Sequence, residues 1–85
     1  MSWQISVANA AQKQLEKVPA RNAEKIEKAI DGMAVNPFAG DVKKMSGKED
    51  IWRRRVGSYR IFYKVIQDLK IVYIFEITRR TSKTY

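Results

Sequence analysis

The side chains in this chain with chemistry to offer are arginines, lysines and tyrosines, gathered in its second half. Arginines stand at Arg53-Arg54-Arg55, Arg60 and Arg79-Arg80, and Tyr85 is the last residue. Residues 1–41 carry 5 basic and 5 acidic side chains, whereas residues 42–85 carry 12 basic and 4 acidic, so the whole formal charge of +8 lies after Asp41. A guanidinium grips phosphate through paired N–H donors. The arginine-rich half therefore fits nucleic acid, or alternatively an acidic protein.

What is missing narrows the chemistry. The chain has no His and no Cys, which removes the usual acid–base group and the commonest zinc ligands. Glu49-Asp50, Asp68 and Glu76 do not form the spaced carboxylate cluster that magnesium nucleases need. No serine has a base beside it, and no glycine-rich phosphate loop is present. No metal and no cofactor are expected. Arg, Lys and Tyr can serve one reaction without metal: attack of an RNA 2′-hydroxyl on its own adjacent phosphate. The protein would hold the strand in line and stabilise the extra charge at phosphorus. A tyrosine, with an ordinary pKa of ~10, could move a proton only if its surroundings shift it.

These side chains need a scaffold, and 85 residues allow a single domain, 1–85, with a thin two-layer core. Trp3–Val7 alternates apolar and polar, the period of a half-buried strand. Asn9 reads as a helix N-cap with Gln12 as its capping-box partner, and this helix should stop near Val18, before Pro19. A second helix over Ala20–Ala34 lines up Ala23, Ile26, Ile30 and Met33, with Glu24–Lys28 paired on its outer face. After the turn residues Asn36–Gly40, everything reads as strand: Val42–Met45, Ile51–Val56, Tyr59–Ile66 and Lys70–Thr78. Turns fall at 46–50, at Gly57-Ser58 and at Gln67-Asp68.

The predicted fold is α+β, in the order β-α-α-β-β-β-β, with a helical hairpin packed on one face of a mainly antiparallel twisted sheet. The last strand, almost wholly apolar, belongs in the middle. Tyr59, Ile61, Tyr63 and Val65 should face the helices, with Arg60, Phe62 and Lys64 on the open face, which is expected to be basic. Trp3, Trp52, Tyr59, Tyr63 and Tyr73 read as core. The longest apolar run, Ile71–Phe75, is far shorter than the ~20 residues that span a bilayer. No secretory leader is visible in residues 1–11. A cytoplasmic protein without membrane contact is expected.

The stretch Trp52-Arg53-Arg54-Arg55-Val56-Gly57-Ser58-Tyr59-Arg60-Ile61-Phe62-Tyr63 resembles the W-R-x-R-x-G-x-Y-R-x-x-Y signature of the RelE/ParE toxin superfamily. The close, Arg79 through Tyr85, resembles that family's R-x(5)-Y ending, and the likeness extends over the whole chain. It implies the toxin of a type II toxin–antitoxin system. The family divides into ribosome-dependent mRNA endoribonucleases and DNA gyrase poisons on one scaffold, and the arginine–arginine–tyrosine set matches the nuclease branch. By resemblance, Arg60 would stabilise the phosphorane, Arg79 would protonate or neutralise the leaving 5′-oxygen, and Tyr85 would activate or orient the 2′-hydroxyl. Arg53 and Arg55 would hold phosphates, and Lys43, Lys44 and Lys48 would touch ribosomal RNA. The implied partners are a cognate antitoxin, in a hetero-oligomeric complex, and mRNA in the ribosomal A site.

Each of these residues also has a structural reading. Arg60 could pair with Glu76, Arg79 could cap the end of the sheet, and a terminal Tyr85 could fray. A gyrase poison and a non-catalytic RNA-binding homologue remain the rival functions. Three departures from the family pattern stand out, the first being that members using histidine as base do not fit a chain without His. Ile51 occupies a position where a lysine is usual, and Arg54 one where an aliphatic residue faces the helices. Either Arg54 snorkels to the edge, or the strand phase slips there.

Overall fold

A computed structural model describes residues 2–45, 47 and 50–79. The elements are β1 (Gln4–Val7), α1 (Asn9–Glu16), α2 (Ala20–Met33), β2 (Val42–Lys44), β3 (Ile51–Val56), β4 (Tyr59–Ile66) and β5 (Ile71–Arg79). They form a 5-stranded sheet in the order β1-β5-β4-β3-β2. β1 runs parallel to β5 and the other pairs are antiparallel. Both helices cover one face, α1 over β5 and α2 towards β3. This is the predicted architecture, except that β4 is the central strand and β5 lies beside it.

Local chemistry sets the boundaries. Gly57 takes φ 58° at the first central position of the β3–β4 hairpin, the conformation a tight two-residue turn needs and glycine gives freely. The β4–β5 connection is a four-residue turn, not two, with Ile66 opposite Ile71 and Lys70 in a left-handed conformation at φ 56°. Asn9 is not the cap expected of it. Ala8 holds that position and its methyl offers no cap, while the Ala8 N–H is bound to the Ile74 carbonyl of β5, at 2.8 Å. The strand pairing thus runs straight into the first helical turn, which closes through Gln12 N–H to Ala8 O. α1 ends at Glu16, earlier than the proline alone requires, and α2 ends at Met33.

The core lies between helices and sheet. Ala11, Ile26, Ala29, Ile30 and Met33 meet Tyr59, Ile61, Tyr63, Val65, Val72, Ile74 and Ile77. The inward residues of β5 are spaced two and then three apart because a β-bulge interrupts the ladder. Tyr63 pairs with Ile74 and Phe62 with Glu76, leaving Phe75 as the extra residue. Tyr73, between the inward Val72 and Ile74, faces away from the helices and is exposed, contrary to its reading as core. No α-helix among the described residues is long and apolar enough to cross a membrane.

Candidate nucleic-acid interface

The open face can be read rung by rung from the pairing. One rung runs Lys43–Arg53–Phe62–Glu76, and the next carries Arg55–Arg60–Thr78. Towards the other end of the sheet come Ile51–Lys64–Tyr73–Ser6 and then Ile66–Ile71–Gln4. The expectation of a basic open face holds for half of it. The cations crowd the β3–β4 hairpin end, whereas Phe62, Ile66, Ile71, Tyr73 and Phe75 supply an apolar remainder, because outward positions of β5 are drawn from an apolar run.

Arg55 and Arg60 lie directly opposite each other, an unfavourable like-charge pair. Asp41 offsets it: Arg55 Nε donates to Asp41 Oδ2 at 2.9 Å, and the Arg55 N–H donates to the Asp41 carbonyl. This is the sole ion pair among the described residues. Glu24–Lys28 and Arg60–Glu76 are not ion pairs. Arg60 is half-buried, and its Nε has no hydrogen-bond partner among the described residues. Among the described residues Asp41 pairs with Arg55 alone, so the Arg60 guanidinium beside it is left with a free donor suited to a phosphate oxygen.

Arg54 belongs to the other face. It points with Trp52 and Val56 towards the helices and snorkels beneath the loop after α2, with no slip in strand phase, its Nε buried without a hydrogen-bond partner among the described residues. Its Nη1 donates to the Ala39 carbonyl at 3.2 Å. Gly40, at φ 89°, leaves room for it: a Cβ there would stand 2.5 Å from Nη1. Beside it, the Tyr63 hydroxyl donates to the Pro37 carbonyl. Burial pushes the Tyr63 phenol up to about 12, with the nearby Arg54 charge pulling the other way. Buried on the helix side with its hydroxyl on Pro37, Tyr63 takes no part in the open face. The same loop carries Phe38, edge-on to both Trp3 and Trp52.

The remaining sequence-predicted residues do not all converge. Lys43 joins Arg53, Arg55 and Arg60. Lys44 points to the opposite side, its Nζ 6.0 Å from the Trp52 ring centroid. Arg79, opposite Tyr59, lines a shallow depression on the helix side with Gln14, Lys17, Val18, Pro19 and Ile77. The structure therefore does not place Arg79 on the face that carries Arg60. Lys48 and Tyr85 lie outside the described residues. Among the described residues, no three of His, Cys, Asp and Glu gather as a metal-binding set.

Sequence reasoning missed four contributors. Asp41 gave no local signal for its link to Arg55. Gln14 Oε1 accepts the Ile77 N–H at 2.8 Å, closing the β5 edge beyond the reach of β1. The bulge pair Phe75 and Glu76 could have been found only from the apolar spacing Val72, Ile74, Ile77.

The family model of the ParE toxin of type II toxin–antitoxin systems, parDE, matches residues 5–83. The chain is 29% identical over 83 residues to RelE1 of Methanocaldococcus jannaschii, covering 94% of this chain and 92% of that one. It superposes with a TM-score of 0.86 on a chain of the archaeal RelE–RelB complex from Pyrococcus horikoshii, at 24% identity, covering 98% and 100% of the two chains. A chain of the RelB–RelE antitoxin–toxin complex from Methanococcus jannaschii gives a TM-score of 0.75 at 26% identity, covering 88% and 90%.

Proposed function

Because the chain belongs to the ParE toxin family of type II toxin–antitoxin systems, we propose that it arrests growth as a metal-independent endoribonuclease cutting mRNA on the ribosome. The observation that carries this reading is the Arg55–Arg60 rung, with Arg53 and Lys43 beside it and Asp41 the one carboxylate ion-paired with any of them among the described residues. In the proposed reaction the substrate 2′-hydroxyl gives its proton to solvent as its oxygen attacks the adjacent phosphorus, the P–O5′ bond breaks, and the leaving 5′-oxygen takes a proton from solvent. The products are a 2′,3′-cyclic phosphate and a 5′-hydroxyl. Arg60, half-buried with its Nε free among the described residues, stabilises the charge that builds at phosphorus. Arg53 and Arg55 hold flanking phosphates. Arg79, on the helix side of the sheet away from Arg60, is given no role at phosphorus, and Tyr85 orients the 2′-hydroxyl. Lys43, Lys44 and Lys48 touch ribosomal RNA, Lys44 from the Trp52 side. This site positions RNA weakly by itself, which is why the ribosome is assigned the task of presenting the strand in its A site.

The proposed partner is a cognate antitoxin, in line with similar chains solved as RelE–RelB complexes, and the proposed place of action is the cytoplasm. The ParE description of the family favours one second reading, poisoning of DNA gyrase. Primer extension on a transcript after induction, with and without its start codon, separates the two. Cuts confined to the translated copy, lost in Arg60→Ala, support the nuclease. Growth arrest without cuts, together with linearised plasmid, supports gyrase.

A further inference from the structure

The bulge in β5 does something the arginines do not. In a regular strand Phe75 and Glu76 would point to opposite faces. Here both stand opposite Phe62 on the open face. The Phe62 and Phe75 ring centroids are 6.5 Å apart, tilted by 36°. Both rings and Glu76 are half-buried. Arg53 flanks Phe62 across β3, and Arg60 and Lys64 flank it along β4. An aromatic pair set among cations on an exposed sheet is a surface on which a nucleobase stacks while its phosphates meet arginine.

Glu76 sharpens this. A carboxylate in a phosphate-binding face repels the backbone, and Glu76 has no ion-pair partner among the described residues. Its chemistry suits a base edge. A carboxylate accepts hydrogen bonds, and guanine offers it two adjacent donors, N1–H and the N2 amino group. Adenine and cytosine present a single amino donor on that edge, and uracil a single ring N–H. Building on the RNA-cleaving function proposed above, we infer that Phe62, Phe75 and Glu76 form a nucleobase subsite beside the phosphate-holding arginines. The two rings stack the base, and Glu76 selects guanine.

The test is binding of short oligouridines carrying one central guanosine, inosine, adenosine or uridine. Their 2′-O-methylation blocks cleavage, and fluorescence anisotropy reads affinity for the full chain. Guanosine should bind about tenfold tighter than uridine, with inosine, lacking the N2 amino group, in between. Glu76→Gln should erase the guanosine–inosine difference, because its amide N–H₂ meets the N2 amino donor head-on. Phe62→Leu with Phe75→Leu keeps the apolar floor but should weaken all four by about tenfold. An unchanged ranking in Glu76→Gln, or equal binding of all four by the wild type, overturns the subsite even if translated mRNA is cut. A guanosine ranking erased by Glu76→Gln, in a protein that never cuts mRNA, leaves the subsite standing and removes the nuclease reading. Loss of antitoxin co-purification in the double leucine variant, with RNA affinity intact, makes the ring pair a partner surface and overturns the proposal.

Discussion

Replacing Gly40 by alanine tests how the arginine that breaks the family pattern is accommodated. The new methyl would lie 2.5 Å from Arg54 Nη1 and 2.6 Å from Cζ, at a backbone φ of 89°. Two effects add. The left-handed backbone costs an L-residue about 1–2 kcal/mol. The guanidinium, the mobile end of its side chain, must swing away and give up its bond to Ala39 O, at about 1.5 kcal/mol for a bond to a charged donor. Together these reach about 3 kcal/mol, or roughly a 10–25 °C drop in Tm for a domain of this size. In an Arg54→Leu background only the backbone effect remains, so Gly40→Ala should cost about 1.5 kcal/mol less there. Urea unfolding of the four proteins of the cycle measures that difference. Additivity to within ~0.5 kcal/mol would refute the claim that Gly40 is glycine because Arg54 passes over it.

Tyr63 makes a pH prediction. Its phenol holds its proton up to about 12 in the fold against 10 when unfolded. Its contribution to stability is therefore intact below pH 10 and lost as pH rises towards 12, by at most about 2.7 kcal/mol. Tyr63→Phe should flatten that part of the stability-versus-pH curve, read as the difference between two denaturation series. A slope identical to wild type between pH 10 and 12 refutes it. Asp41→Asn breaks an ion pair whose side chains are 49% and 59% exposed, so it should shift stability by no more than about 1 kcal/mol. The same variant should bind RNA more tightly at low salt, with a steeper salt dependence in an anisotropy titration. A stability loss above about 2 kcal/mol would mean that Asp41 anchors the hairpin.

The β3–β4 hairpin is legible in the sequence because two physical signals agree there. Alternation from Tyr59 to Val65, broken only by Phe62, names the buried face, and a glycine sits where the turn needs it. Arg53, Arg55 and Arg60 then fall together by register alone, so the basic cluster follows from the hairpin. What the sequence conceals is long-range or non-periodic. Asp41 meets Arg55 only once β2 has paired, and Ala8, not Asn9, stands at the cap, with its N–H held by β5. In Ile71–Phe75 every residue is apolar, so no alternation is left to betray a slipped phase, and both the exposure of Tyr73 and the turn to the helix side at Arg79 go unseen.

That slip explains two features at once, and deleting Phe75 tests it. Without the bulge, the inward phase of Val72 and Ile74 would continue through Glu76 and Thr78, while Ile77 and Arg79 turned outward beside Arg60. With it, Ile77 is buried, Glu76 reaches the open face, and Arg79 goes to the helix side. The strand gives up one ladder step to keep a carboxylate out of the core, where an unpaired charge costs several kcal/mol. Deleting Phe75 brings Glu76 directly after Ile74, opposite Phe62, and leaves Glu76 outward with Ile77 and Arg79 inward, so the variant should fold with a loss below about 1.5 kcal/mol, the ring being only half-buried. Phe75→Ala, which keeps the extra residue, should lose a similar amount. Far-UV circular dichroism and urea midpoints read both. A deletion variant that does not fold would show that Phe75 does more than take up the extra step between Ile74 and Glu76.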